Sequence, residues 1–269
     1  MHFNLGFSTV QVLWTLTFAS LLVLLVVLLG RDRARRYPLF TASIVMAGLR
    51  LLASRLLFER LAPMTLTAIF LSLADLAVII SLLVVVEMAR RAFPGAPRRA
   101  WFVGAVAVVA LAAAVVGVWG PWPDWKTLIA GSTLAMLRLM QLVAQKLELL
   151  NDLLAAELCL LVILLGRRFK AGWRSHTQQI VIGLSTIGIT EVAMRAIWQA
   201  IATHSVPKTR IEYEHIMGIQ EKLYNANNVI YLLVLVWWIV CLWIDEPGTH
   251  SHSETAAELP SEVTGSPEN

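Results

Sequence analysis

Seven stretches of this 269-residue chain are long and apolar enough to cross a bilayer, and nothing else in the sequence limits its fold so strongly. A hydrocarbon core of about 30 Å takes roughly 20 residues at the helical rise. The stretches cover residues 10–29, 39–58, 66–86, 101–118, 147–165, 178–201 and 229–244. They read as helices, which makes the fold class all-α: a polytopic membrane protein with seven transmembrane helices. Composition agrees, because 58% hydrophobic and 15% charged residues leave too little polar surface for a soluble domain of this length.

The first stretch is not a secretory leader. "MHFNLGF" before it has no basic region, and "RDRARR" rather than a small-residue cleavage site follows, so it reads as a retained span. Orientation follows from lysine and arginine. Three short loops hold Arg31, Arg33, Arg35 and Arg36, then Arg90, Arg91, Arg98 and Arg99, then Arg167, Arg168, Lys170 and Arg174. By the positive-inside rule these are cytoplasmic. The alternate connections carry only Arg60 and Lys126, then Lys208, Arg210 and Lys222, which puts the amino terminus outside and the carboxyl terminus inside. The net charge of +4 mostly records this bias, and no soluble basic face exists to bind nucleic acid.

Residues 127–165 contain no proline and one glycine, so one helix of about 60 Å or two segments fit them. Two crossings here would carry the basic run around Arg167 to the outside, against the rule. The reading is therefore one crossing from Leu147, preceded by an outer amphipathic helix at about 127–146. Arg138, Gln141, Gln145, Glu148 and Asp152 recur at steps of three and four and share one face. Such a stripe suits a wet face against headgroups or partner helices, or the lining of a cavity.

Charges within the apolar stretches are the candidate functional residues. Arg50, Asp75, Glu157, Glu191 and Arg195 fall near one depth, and Arg55, Asp152 and Arg138 continue the set outward. A lone charge at the bilayer centre costs roughly 2.5 to 3.5 kcal/mol on insertion scales, so these groups should face the interior and pair. In "GITEVAMRAIW", Glu191 and Arg195 stand at i and i+4 and can pair locally. Two readings remain open. One is a buried ion-pair network that fixes helix order and register. The other is a polar pocket open to the outside, in which arginine holds a carboxylate or phosphate bidentately, or, more narrowly, a proton relay through Asp75, Glu157 and Glu191.

Other chemistries find no residues to carry them. His2, His176, His204, His215, His250 and His252 lie at span ends, in loops or in the tail, which disfavours bis-histidine haem. The last stretch has no lysine for a retinal Schiff base. Cys159 and Cys241 lack paired metal or redox spacing and read as packing residues. No P-loop or nucleophile elbow occurs, so no catalytic residue, metal or cofactor is expected.

The remaining segments read as surface. Trp119, Trp122 and Trp125 in "WGPWPDWK" suit an interfacial anchor, with ligand stacking as the alternative. Residues 203–228 read as an outer loop, with a short helix near 211–223, that caps the bundle or lids a pocket. Domain organisation is thus a membrane domain over 1–245 and an acidic, polar, disordered cytoplasmic tail over 246–269.

An outer amino terminus, seven spans, short basic inner loops and a cytoplasmic tail give a layout that resembles, over residues 1–245, the seven-helix sensory modules of bacterial membrane receptors. No kinase, cyclase or phosphodiesterase sequence follows the last span, which departs from the receptor pattern. The resemblance implies a multi-pass protein of a bacterial inner membrane. Two function classes follow from the residues. In a sensor or small-ligand-binding protein, Arg50 and Arg195 hold an anionic or zwitterionic molecule from the outer side, with Asp75, Glu157 and Glu191 as counter-charges. In an accessory subunit of a larger membrane complex, the charges are structural and the striped helix meets a partner. A small transporter is a weaker third class, since no inverted repeat of broken helices is visible.

Overall fold

The computed structural model describes residues 9–57, 62–93, 97–120, 122, 133–165, 175–204 and 209–245. Helices are the only regular secondary structure among them: α1 (Thr9–Gly30), α2 (Arg33–Arg36), α3 (Pro38–Leu57), α4 (Pro63–Ala92), α5 (Arg98–Val118), α6 (Thr133–Leu165), α7 (His176–His204) and α8 (Arg210–Trp243). Six of them, all but the single-turn α2 and α6, are long and apolar enough to cross a membrane, as a multi-pass membrane protein requires. The basic run at 167–174, Trp125 and the tail over 246–269 lie outside the described residues.

The helix ends follow local chemistry. α3 and α4 begin with Pro38 and Pro63, whose missing N–H costs nothing in the first turn. Between α1 and α2, Asp32 takes a left-handed conformation (φ 53°), which a short polar side chain tolerates best after glycine. α5 ends at a left-handed Gly120 (φ 72°), and the Lys146 ammonium of α6 donates to the free carbonyls of Val116 and Trp119 there. α8 is capped by Thr209, whose Oγ1 accepts from the Glu212 N–H at 3.2 Å.

That cap marks one difference from the sequence reading. The segment expected as an outer loop over 203–228 is mostly helix, because α8 runs unbroken for 34 residues from Arg210 to Trp243. Its first turns are polar without being irregular: no proline interrupts them, and Arg210 pairs with Glu214 at 2.8 Å, one turn on. α6 is the second difference. The expected amphipathic helix and the expected span are one helix of 33 residues, of which 133–146 is the amphipathic part. Glu148, Asp152 and Glu157 break its apolar run, which is why, though long enough, it falls short of the apolarity that the other six helices reach.

Packing closes six helices into a ring: α1 lies on α3, α3 on α4, α4 on α6, α6 on α7, α7 on α8, and α8 returns to α1. α4 also touches α7 across the ring, and α5 hangs outside, chiefly against α6. The α5 face away from α6 is apolar and uncovered, with Phe102 and Val103 about two-thirds exposed. The core is concentrated at the end of the bundle that holds the α1–α2 elbow. Leu24, Leu28, Phe40, Met88, Ile180 and Trp238, from five helices, are almost wholly inaccessible there. Phe40 meets Trp238 edge to face at 5.0 Å and closes the gap between α3 and α8 at that end. The Trp238 indole N–H donates to the Gln179 carbonyl at 3.2 Å, and Gly183 leaves room for the ring: a Cβ there would lie 2.3 Å from Nε1.

Candidate functional site

Farther along the same helices α3 and α8 separate, and the gap is a partly open cavity of about 430 Å³. From Phe40 to Arg50 is about 15 Å of helix, and from Trp238 back to Tyr231 about 10 Å, so the cavity stands above the aromatic plug. α3 contributes Arg50 to its wall, α7 contributes Glu191, and α8 contributes Tyr224, Asn227, Asn228 and Tyr231. Phe70 of α4 and Leu51 and Ile187 supply apolar wall.

Two charges the sequence singled out thus share one space. Glu191 Oε1 accepts from Asn227 Nδ2 at 2.6 Å. Arg50, half-buried, has no hydrogen-bond or ion-pair partner among the described residues. A guanidinium carries five donors and keeps its charge under all ordinary conditions, so on this wall it offers donors that no described residue takes up.

Arg195 belongs to a different constellation. Its guanidinium donates to Glu148 Oε2 at 2.9 Å and to the Gln145 carbonyl at 3.2 Å, and lies 3.8 Å from Asp152 Oδ2. All three are on α6. The expected i, i+4 pair of Glu191 with Arg195 is therefore not the contact either residue makes: the two bond to different neighbours, α8 and α6. Gly188 makes the second contact possible. A Cβ there would sit 2.8 Å from the Asp152 carbonyl oxygen, so only glycine lets α7 approach α6 this closely.

The other candidates stay apart from both groups. Asp75 Oδ1 and Glu157 Oε2 are buried and make no hydrogen bond among the described residues, and neither lines the cavity. Arg55 and Arg138 are exposed. The set that looked like one cluster at one depth is an Arg50–Glu191 cavity, an Arg195–Glu148–Asp152 clamp and two isolated buried acids.

A further polar centre lies at the elbow end, where the sequence reading saw only basic loops. Arg33 is buried and donates to His176 Nδ1 at 2.6 Å and to Asp245 Oδ1 at 3.0 Å. Because arginine only donates, Nδ1 is the acceptor and the ring proton sits on Nε2, 2.9 Å from the Ile244 carbonyl it serves. Arg31 pairs with Asp245 at 3.1 Å and stacks 5.0 Å above Trp243. The Tyr37 and Thr177 hydroxyls are hydrogen-bonded to each other at 3.0 Å, and buried Glu87 accepts from the Phe40 N–H in the first turn of α3 and from Arg91, each at 3.2 Å. Apart from the i, i+4 pair of Glu87 with Arg91, these contacts have no local signature: Arg33 and His176, for example, are 143 residues apart. Asn227, Asn228 and Tyr224 were missed for another reason: they lie where composition reads as a loop. The Asn-Ala-Asn-Asn run on the approach to an apolar helix was the available signal.

Compared with known proteins, the chain matches no family model, no curated protein and no solved structure.

Proposed function

We propose that the chain is an integral membrane sensor or small-ligand-binding protein that receives an anionic or zwitterionic small molecule in the cavity between α3, α7 and α8. The observation that carries this is Arg50: a cation on the wall of a cavity of ligand size, with its donors unclaimed by the described residues. A guanidinium held only to fix helix register would bond to a neighbouring helix, as Arg195 does.

In this reading the protein crosses a bacterial inner membrane seven times with its amino terminus outside. Support for the seventh crossing comes from which ends meet. The end of α1, the start of α3, the end of α4, the start of α7 and the end of α8 are tied together by the Arg33, Tyr37 and Glu87 contacts. α5 starts at that end too, where Arg90 of α4 lies 5.9 Å from the Trp101 ring, and at its other end it meets Lys146. α6 then has to carry the chain back before α7 begins, and its 33 residues span about 50 Å. The basic residues of the first two short connections collect at the same end, as a cytoplasmic face demands.

Purification in mild detergent tests the functional reading. A monodisperse protein that carries a bound small molecule, lost in Arg50→Gln, is the expected result. Stable co-purifying membrane subunits with no effect of Arg50→Gln would replace it with the accessory-subunit role.

A further inference from the structure

We infer that the cavity selects a zwitterion: a small molecule with an ammonium at one position and a carboxylate or phosphate at another, on a short apolar frame. This rests on the reading of the cavity as a ligand site. Its wall carries two full charges of opposite sign, Arg50 on α3 and Glu191 on α7, and no ion pair joins them. A simple anion drawn to Arg50 meets the Glu191 carboxylate. Asn227, itself on the cavity wall, donates to Oε1 of that carboxylate at 2.6 Å and so favours its place there.

Nor is its charge balanced locally. Asn227 is neutral, and Arg195, one turn along α7, turns to Glu148 and Asp152 on α6. A simple cation meets the converse problem at Arg50. In a membrane interior unpaired charges are costly, and a ligand that supplies both counter-charges relieves both at once. Glu191 Oε2 makes no hydrogen bond among the described residues, which leaves it for an ammonium beside the Tyr224 and Tyr231 rings. Leu51, Phe70 and Ile187 between the charges fit an apolar frame.

Two sources offer this chemistry: a free amino acid, and the headgroup of a zwitterionic phospholipid. The test uses the full chain in detergent and isothermal titration with four probes: L-leucine, 4-methylpentanoate, 3-methylbutylamine and glycerophosphoethanolamine. At least one zwitterion should bind about tenfold or more tighter than both single-charge probes. Arg50→Gln should erase its advantage over the amine, and Glu191→Gln its advantage over the acid. Arg50→Lys, which keeps the charge, should retain the preference.

Both neutral variants should fold. Arg50 has no described protein partner to lose, and glutamine at 191 still accepts from Asn227. Leucine binding identifies a soluble amino acid, and binding of glycerophosphoethanolamine alone identifies a lipid headgroup. If 4-methylpentanoate binds as tightly as the zwitterions and loses affinity in Arg50→Gln, the zwitterion inference falls and the ligand site stands. If no probe binds, or binding ignores both substitutions, the inference and the site reading fall together.

Discussion

At the elbow end of the bundle, Arg33 donates to a histidine nitrogen, a backbone carbonyl and a carboxylate. Farther up the bundle, Arg50 of α3 donates to no described residue. Both are arginines in an apolar chain, and both stand next to aromatic residues. The difference lies in their surroundings. Arg33 sits where five helix ends converge and their unsatisfied backbone groups need partners, so its charge is consumed by assembly. Arg50 sits mid-helix, where every neighbouring backbone group is already bonded within its own helix, so only a side chain or a ligand can answer it. A charge that neighbours saturate reports on architecture, whereas one that they leave open is free to meet a ligand.

This contrast breaks most readily at Arg33. Arg33→Met strips buried His176 Nδ1 of its donor and half-exposed Asp245 of one of its two arginines, and should lower stability in detergent by about 2 to 4 kcal/mol, read as a fall in thermal midpoint. A midpoint close to the parent's would mean that the elbow network is as dispensable as a surface pair.

Next in size is Gly188→Ala. The added methyl meets the Asp152 backbone at 2.8 Å, and backbone cannot swing aside as a side chain can. A loss of about 1 to 3 kcal/mol is expected, together with weaker coupling between Arg195 and Asp152 in a double-mutant cycle. Tolerance of alanine without loss would contradict the close crossing of α6 and α7.

Arg195→Met comes third, at about 1 to 3 kcal/mol, because Glu148 and Asp152 lose their shared cation. Adding Glu148→Gln and Asp152→Asn should recover part of that loss, whereas adding Glu191→Gln should not. Recovery through Glu191 instead would restore the pairing within α7 and undo the separation of cavity from clamp.

The smallest effect sharpens the comparison most. Arg50→Gln should change stability by no more than about 0.5 kcal/mol without ligand, since no described contact is lost. A loss as large as that of Arg33→Met would show that Arg50 also serves architecture.

How far the sequence foretold this arrangement differs between fold and site. Apolar runs, proline starts at Pro38 and Pro63 and the Thr209 cap give the helices, because each is a local effect. The ring order is silent in the sequence. Lipid-facing Phe102 and core-facing Leu28 are equally apolar, so hydropathy does not say which face meets a neighbour. Arg50 and Glu191 stand out because a charge in an apolar run is conspicuous. Their partners do not, because i, i+4 spacing tells which residues of one helix can meet, whereas Arg195 found α6 and Glu191 found α8. The polar start of α8 resembles a loop in composition, which hid Asn227 and the tyrosines beside it.

Closure of the ring between α1 and α8 sets a schedule for biosynthesis. Arg33 and Asp245 are 212 residues apart. At about 5 to 20 residues per second, roughly 10 to 40 s separate the appearance of the two on the ribosome. Through that interval Arg33 has neither Asp245 nor the Ile244 carbonyl, and the α3 side of the cavity lacks its α8 wall. The early helices therefore wait in the membrane with their charges exposed to one another, to lipid headgroups and to any insertion chaperone. A ribosome that stalls before α8 releases a protein in which α1 to α7 are present and the cavity lacks its α8 wall.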